Sequence, residues 1–203
     1  MRFQFKLFNF FGKPVELSIW FFLLLLFLST KAVFLIFISV LVHEMAHVLI
    51  ATKLGYKTFG IKIDILFGSV KIQQNIPAKD DIKIVLAGPI SNLILFLISI
   101  ILLSIWPSNI LSTLVYINLF MFLLNMLPIF PLDGGRVVRD ILFCLAKPQI
   151  AVKISAVSSL IFSLTGLYFS IAYSIPVVVV FCLLFIYNSF CDLGIIKTQS
   201  QII

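Results

Sequence analysis

Apolar residues dominate the chain in long blocks, separated by short segments rich in lysine, glycine and proline. No charged residue occurs between Lys83 and Asp133, and none between Lys153 and Asp192. Each run exceeds the roughly 20 apolar residues of a single membrane-crossing helix, so each is expected to hold a pair of crossings joined by a turn. Hydropathy and helix breakers together predict six spans, at roughly 17–30, 32–51, 83–106, 110–127, 153–171 and 175–190. Pro107 and Pro176 fall at or near turns, and the short first span has room to extend back into FNFFGKPVE. One loop has a different period. In TFGIKIDILFGSVKIQQ, Phe59, Ile61, Ile63, Ile65 and Phe67 alternate with Gly60, Lys62, Asp64 and Leu66, and Gly68 and Ser69 offer a turn before Val70 and Ile72. This is a β-hairpin signal.

The pattern predicts an all-α polytopic membrane protein of about six transmembrane helices, with a small membrane-associated β-hairpin between the second and third spans. Residues 1–203 are expected to form a single domain. Composition agrees: 62% of residues are hydrophobic and 11% charged, and the mean hydropathy is +1.19, outside the range of ordinary soluble domains. The N-terminal segment has basic residues ahead of an apolar run but no small-residue cleavage site, and it is read as retained. Cys144, Cys182 and Cys191 are scattered, have no CxxC spacing and are read as packing residues.

The net charge of +7 calls for no nucleic-acid partner, because basic residues at span ends facing a lipid bilayer account for it. Under the six-span reading, Arg2, Lys6 and Lys13, the lysines at 53, 57, 62, 71, 79 and 83, Arg136, Arg139, Lys147, Lys153 and Lys197 all fall on one side, and only Lys31 on the other. The excess of positive charge places both termini in the cytoplasm of a multi-pass cell-membrane protein.

Within the second predicted span lies HEMAH, which holds the chain's only two histidines. His43 and His47 are one helical turn apart on one face, where both imidazoles can reach a common metal. Glu44 is rotated from that axis by about a third of a turn, toward a water on the metal rather than the metal itself. Zinc in such a site polarises a carbonyl and lowers the pKa of water, and Glu44 would carry the proton to the leaving amine. The bland reading, satisfied polar groups inside a bundle, leaves a buried Glu44 without a cation, which is costly. A catalytic zinc takes three protein ligands. With no third histidine, an acid must serve, and Asp133 in NMLPIFPLDGGR is the candidate, because Pro128, Pro131, Gly134 and Gly135 are expected to forbid a regular helix there. By itself, Asp133 also reads as a turn residue at a helix start. Asp64 lies between lysines on the polar face of the predicted hairpin and is the weaker candidate. In AGPISN, residues 87–92, Ala87, Gly88 and Ser91 permit close helix approach, Pro89 loosens the backbone and Asn92 can bridge to a neighbour; the segment reads as structural support.

HEMAH, AGPISN and NMLPIFPLDGGR, in this order and spacing, resemble the site-2 protease family of intramembrane zinc metalloproteases, and the plan is most similar to the branch containing stage IV sporulation protein FB. The resemblance implies that His43, His47 and Asp133 bind Zn2+ and that Glu44 is the catalytic acid and base. It also implies that Asn125 holds the substrate backbone or the oxyanion; as a residue on its own, Asn125 reads equally as a helix-to-helix tie. Pro128 and Gly134 belong to the same structural support as Gly88, Pro89 and Asn92. Further implications are a membrane-associated protein substrate, such as a transcription, sigma or anti-sigma factor, and a regulatory membrane protein as partner. Neither the CBS domain usual in the sporulation branch nor the PDZ domain of envelope-stress relatives is expected. The predicted hairpin either presents an edge to an extended substrate or rests on the interface. The alternative to a protease is a non-hydrolytic metal-binding transporter or sensor, which explains the metal ligands but not Glu44 beside them.

Overall fold

The computed structural model describes residues 4–10, 13–18, 29–63, 68–72 and 75–194. Its elements, in chain order, are β1 (Gln4–Phe10), β2 (Lys13–Ser18), α1 (Thr30–Lys53), β3 (Thr58–Ile63), β4 (Gly68–Ile72), α2 (Ala78–Ile105), α3 (Asn109–Asn125), α4 (Asp133–Leu145), α5 (Pro148–Ala172) and α6 (Pro176–Asp192). They divide into two compact units, Met1–Leu123 and Leu124–Ile203.

The first unit combines a sheet with long helices. Its four strands run in the order β1-β2-β3-β4, antiparallel at both ends and parallel between β2 and β3. The parallel register pairs Val15 with Ile61, and both are buried in a cluster with Val33 and Val48 of α1. Packing against α1 therefore orients the sheet. Ser29 caps α1, its hydroxyl accepting from the Ala32 amide at 3.3 Å. Asp80 and Asp81 occupy the first turn of α2, where negative charge suits the helix dipole. The Tyr56 hydroxyl donates to Asp80 at 2.8 Å, tying the α1–β3 connection to the start of α2. That bond holds the Tyr56 phenol above its ordinary pKa.

In the second unit, residues 126–132 form an irregular loop that α5 anchors. The Phe130 amide donates to Ser159 Oγ at 2.8 Å, and Ser158 Oγ donates to the Pro128 carbonyl at 3.3 Å. Arg139 of α4 stacks over the Phe130 ring at 3.5 Å, donates to Ser155 and pairs with Asp192 at the end of α6.

Two expectations about the fold are corrected. Six spans were expected, but among the described residues three helices are long and apolar enough to cross a bilayer: Thr30–Lys53, Ala78–Ile105 and Pro148–Ala172. The protein is a multi-pass membrane protein on that evidence. Helices α3 and α6 have 17 residues each, about 26 Å of rise against a hydrocarbon core of about 30 Å. Of the first expected span, 17–30, the beginning lies in β2 and residues 19–28 fall outside the described residues. The single hairpin of the expected fold is larger than expected, because β1 and β2 extend β3 and β4 into a four-stranded sheet. The cause is visible in QFKLFNF, where polar and apolar residues alternate before the Gly12 break; a strand suits that alternation. Gly68 and Ser69, expected in the hairpin turn, begin β4, and residues 64–67, including Asp64, lie outside the described residues.

The LDGGR segment also differs from expectation. The irregular backbone ends at Leu132, and Asp133, Gly134 and Gly135 form the first turn of α4. Glycine ordinarily weakens a helix by about 1 kcal/mol. Here it is required by close approach: a Cβ at 134 would sit 2.5 Å from the Met126 and Leu127 carbonyl oxygens, and one at 135 would overlap the backbone of Ile129 and Phe130. Gly135→Ala is therefore expected to destabilise the protein by about 1–3 kcal/mol, measured as thermal unfolding in detergent. Gly166→Ala, whose Cβ meets only the Cys182 thiol at 3.1 Å, should cost less.

Candidate metal centre

HEMAH lies in the C-terminal half of α1, and His43, Glu44 and His47 are 4%, 4% and 5% exposed. Burial of three ionisable side chains in an apolar helix demands compensation. The structure brings them together: one ligand atom from each lies within 4.8 Å of the others. The imidazoles meet edge to face with centroids 4.8 Å apart, and the two Nε2 atoms are separated by 3.2 Å.

The outward nitrogen of each ring is committed elsewhere. His47 Nδ1 lies 2.7 Å from the Ile84 carbonyl oxygen, which can only accept, so Nδ1 carries the proton. His43 Nδ1 lies 2.5 Å from Asn92 Oδ1. In neutral rings both Nε2 atoms are then acceptors that face one another at short range. Two facing lone pairs repel unless a cation lies between them, and ligand nitrogens about 2.0–2.1 Å from a tetrahedral zinc are about 3.3 Å apart. The observed separation, the outer hydrogen bonds on both rings and the adjacent carboxylate all fit a zinc ion.

Helix α2 supplies every one of these outer contacts. Gly88 makes its approach possible: a Cβ there would stand 2.6 Å from His43 Nε2 and closer still to the His47 ring. Pro89 interrupts the hydrogen-bond ladder in the turn after Ile84, whose carbonyl receives His47. AGPISN thus touches both imidazoles, a role that the reading of this segment as packing support did not contain. The signal available was the Gly88–Asn92 spacing itself, which places a gap and an amide one turn apart on one face.

Asp133, Pro128, Gly134 and Asn125 belong to the second unit. Asp133 is 8% exposed in the first turn of α4, and Asn125, also 8% exposed, ends α3.

A profile of peptidase family M50 matches residues 31–108 and 104–169. The chain belongs to peptidase family M50. The M50 match covers α1 with its histidines, α2 with Gly88 and Asn92, and the Asp133 segment. A zinc metalloprotease of Methanocaldococcus jannaschii is 32% identical over 92% of this chain and 59% of its own length. Stage IV sporulation protein FB of Bacillus subtilis is 28% identical over 66% of this chain and 48% of its own. This M50 chain therefore spans about half to three fifths of those relatives. The solved structure of a site-2 protease from Methanocaldococcus jannaschii superimposes with a TM-score of 0.75 at 26% identity, covering 97% of this chain and 98% of that one.

Gly88→Ala isolates the contact between α2 and the rings. Its Cβ overlaps both rings, an overpacking cost of about 1–3 kcal/mol that the helix propensity of Ala, about 1 kcal/mol, offsets only in part, and metal affinity should fall by about tenfold or more. Metal content after dialysis, read beside thermal unfolding, checks both; full metal content in the variant would show that the close approach is not needed.

Proposed function

We propose that this M50 family member is an intramembrane zinc metalloendopeptidase that hydrolyses a peptide bond in or near a membrane segment of another protein. The observation carrying this reading is the pair of His43 and His47 Nε2 atoms, 3.2 Å apart, with Glu44 in the same buried cluster. A transporter or sensor would need the two imidazoles but not a carboxylate at that position.

His43 and His47 would hold zinc, with Asp133 as third protein ligand. Asp133 is supported by the need for three ligands, by the lack of a third histidine and by its burial at the start of a helix. Bound zinc supplies a Lewis acid for the scissile carbonyl and lowers the pKa of water. Glu44 accepts the proton of the attacking water and returns it to the leaving nitrogen. Burial of the cluster excludes competing solvent. Asn125 donates its amide to the substrate backbone or to the developing oxyanion. Residues 1–203 act in this reading as one catalytic core.

Substrate presentation follows from the sheet. A helical substrate hides its carbonyls in its own ladder, so cleavage requires a locally extended segment. Strand β4 ends the order β1-β2-β3-β4, and an extended segment pairing along it would be held unwound. The substrate class is a membrane-associated protein, of which transcription, sigma and anti-sigma factors are examples, with a regulatory membrane protein as a further partner. Identity of 32% to the archaeal metalloprotease against 28% to the sporulation protein supports the family as a whole rather than the sporulation branch. Both termini are assigned to the cytoplasm, on the excess of Lys and Arg expected to share their side.

Glu44→Gln tests the mechanism. It should retain zinc while cleavage of a co-expressed membrane substrate falls by about 10²- to 10⁴-fold, measured by immunoblot of substrate and product. Cleavage at the wild-type rate would remove Glu44 from proton transfer.

A further inference from the structure

The two imidazoles are anchored unequally. His47 Nδ1 reaches a backbone carbonyl directly, whereas His43 Nδ1 meets a side-chain amide, Asn92, which by itself can present either oxygen or nitrogen. Oxygen toward His43 fixes the proton on Nδ1 and leaves Nε2 free to ligate. Nitrogen toward His43 does the reverse, selecting the tautomer with Nε2 protonated and unable to ligate. The energy difference between those two orientations must come from what lies beyond Asn92.

Beyond it is Asn118 of α3. Both amides are 0% exposed, as is Ser39 on α1, one turn before His43. Asn92 Nδ2 donates to Asn118 Oδ1 at 3.0 Å, and Asn118 Nδ2 donates to the Leu114 carbonyl at 2.9 Å and to Ser39 Oγ at 3.2 Å. The Leu114 carbonyl settles the orientation of the whole series because it can only accept. It requires nitrogen from Asn118, so the Asn118 oxygen faces Asn92. That oxygen requires nitrogen from Asn92, so the Asn92 oxygen faces His43. The proton is thereby placed on Nδ1.

We infer that Asn118 is a positioning residue for the metal ligand: the amide relay Leu114–Asn118–Asn92 fixes the tautomer of His43, with Ser39 bracing the Asn118 amide from the ligand-bearing helix. The inference rests on the metalloprotease reading for its zinc ion, but the relay lies wholly within the first unit and Asn118 touches neither metal nor substrate. In water a flipped amide would find solvent partners. At a fully buried site, reversal of one amide strands two donors against each other, so the relay holds or fails as a unit.

Zinc affinity, measured by competition with a chelator in detergent, provides the test without reference to activity. Asn118→Leu, close in volume but without an acceptor, leaves Asn92 Nδ2 only the weak acceptor Met121 Sδ at 3.8 Å, so Asn92 is no longer held against reversal and zinc binding should weaken by about 10- to 100-fold. Asn92→Asp replaces the amide by a carboxylate with two equivalent oxygens, which in its ionised form presents acceptors alone and needs no orientation from Asn118. In that background the Asn118 oxygen faces a second acceptor rather than a donor, so Asn118→Leu should leave zinc affinity undiminished. Wild-type affinity in Asn118→Leu would overturn the inference. So would a loss of the same size in both backgrounds, which would mark Asn118 as packing only. Asn118→Ala carried through the same pair of backgrounds replaces Leu if that variant does not yield folded protein. Absence of zinc binding by the wild-type protein would overturn the metal reading, and the relay with it.

Discussion

The structure of the first unit depends on one constraint: His43, Glu44 and His47 are withdrawn from water on a helix whose other residues are chosen for hydrocarbon. Each polar group left without a partner in such surroundings costs several kcal/mol. The neighbouring helix answers that cost at close range. Gly88 removes the Cβ that would keep α2 away, the Ile84 carbonyl receives one ring and Asn92 receives the other. Mutual dependence makes the site rigid. An approach loose enough to admit a side chain at 88 would lengthen both hydrogen bonds, and the Nε2 atoms would no longer face one another at the spacing a single ion requires.

The second unit solves a related problem with charge. Arg139 is largely buried, with 15% of its side chain exposed, and it is satisfied on three sides: by the face of Phe130, by the Ser155 hydroxyl and by the Asp192 carboxylate. Those partners come from the loop, α5 and α6, so one guanidinium draws together the elements around the Asp133 turn. Serines 158 and 159 hold the same loop from the other side by binding its Pro128 carbonyl and Phe130 amide. The loop lacks a ladder of its own, and in an apolar setting its backbone must find such partners. Glycines 134 and 135 then let α4 begin flush against it.

Local chemistry was legible in the sequence, and chemistry assembled across helices was less so. His43, Glu44 and His47 could be read from spacing alone, since one turn of helix fixes their relation. The contacts of Asn92 and Gly88 with those histidines depend on how α2 meets α1, with His43 and Asn92 separated by 49 positions, and no local pattern encodes that approach. The hairpin of β3 and β4 showed through its alternation. The same alternation in β1 was hidden by the apolar character of its surroundings, which hydropathy counts as part of a span. Helices α3 and α6 lie close to the spans expected at 110–127 and 175–190, but at 17 residues each their rise falls short of the hydrocarbon core, so position was legible there and span length was not. Prolines and glycines in NMLPIFPLDGGR were correctly sensed as unusual, but their division into a loop followed by a helical turn depends on the backbone packed beneath them.

Why α1 resists reading as an amphipathic helix follows from its surroundings. By helical periodicity it has three faces rather than two. Phe34, Ile38 and Leu49 are exposed on one side, suited to lipid. Ser39, His43 and His47 occupy the opposite side, against α2 and α3. Val33 and Val48 cover the sheet between those two sides. Two of these three faces are apolar for different reasons, one for the bilayer and one for the β-sheet, so the apolar residues cover most of the circumference and only a narrow stripe is polar. The stripe therefore carries both imidazoles, while Glu44, about a third of a turn from His43, stands at its edge toward Val33 and Val48. Because the sheet grips the helix from one flank, α1 cannot turn about its axis to relieve strain in the stripe without exposing Val33 and Val48. The sheet thus contributes to the geometry of the buried histidines by fixing the helix that carries them.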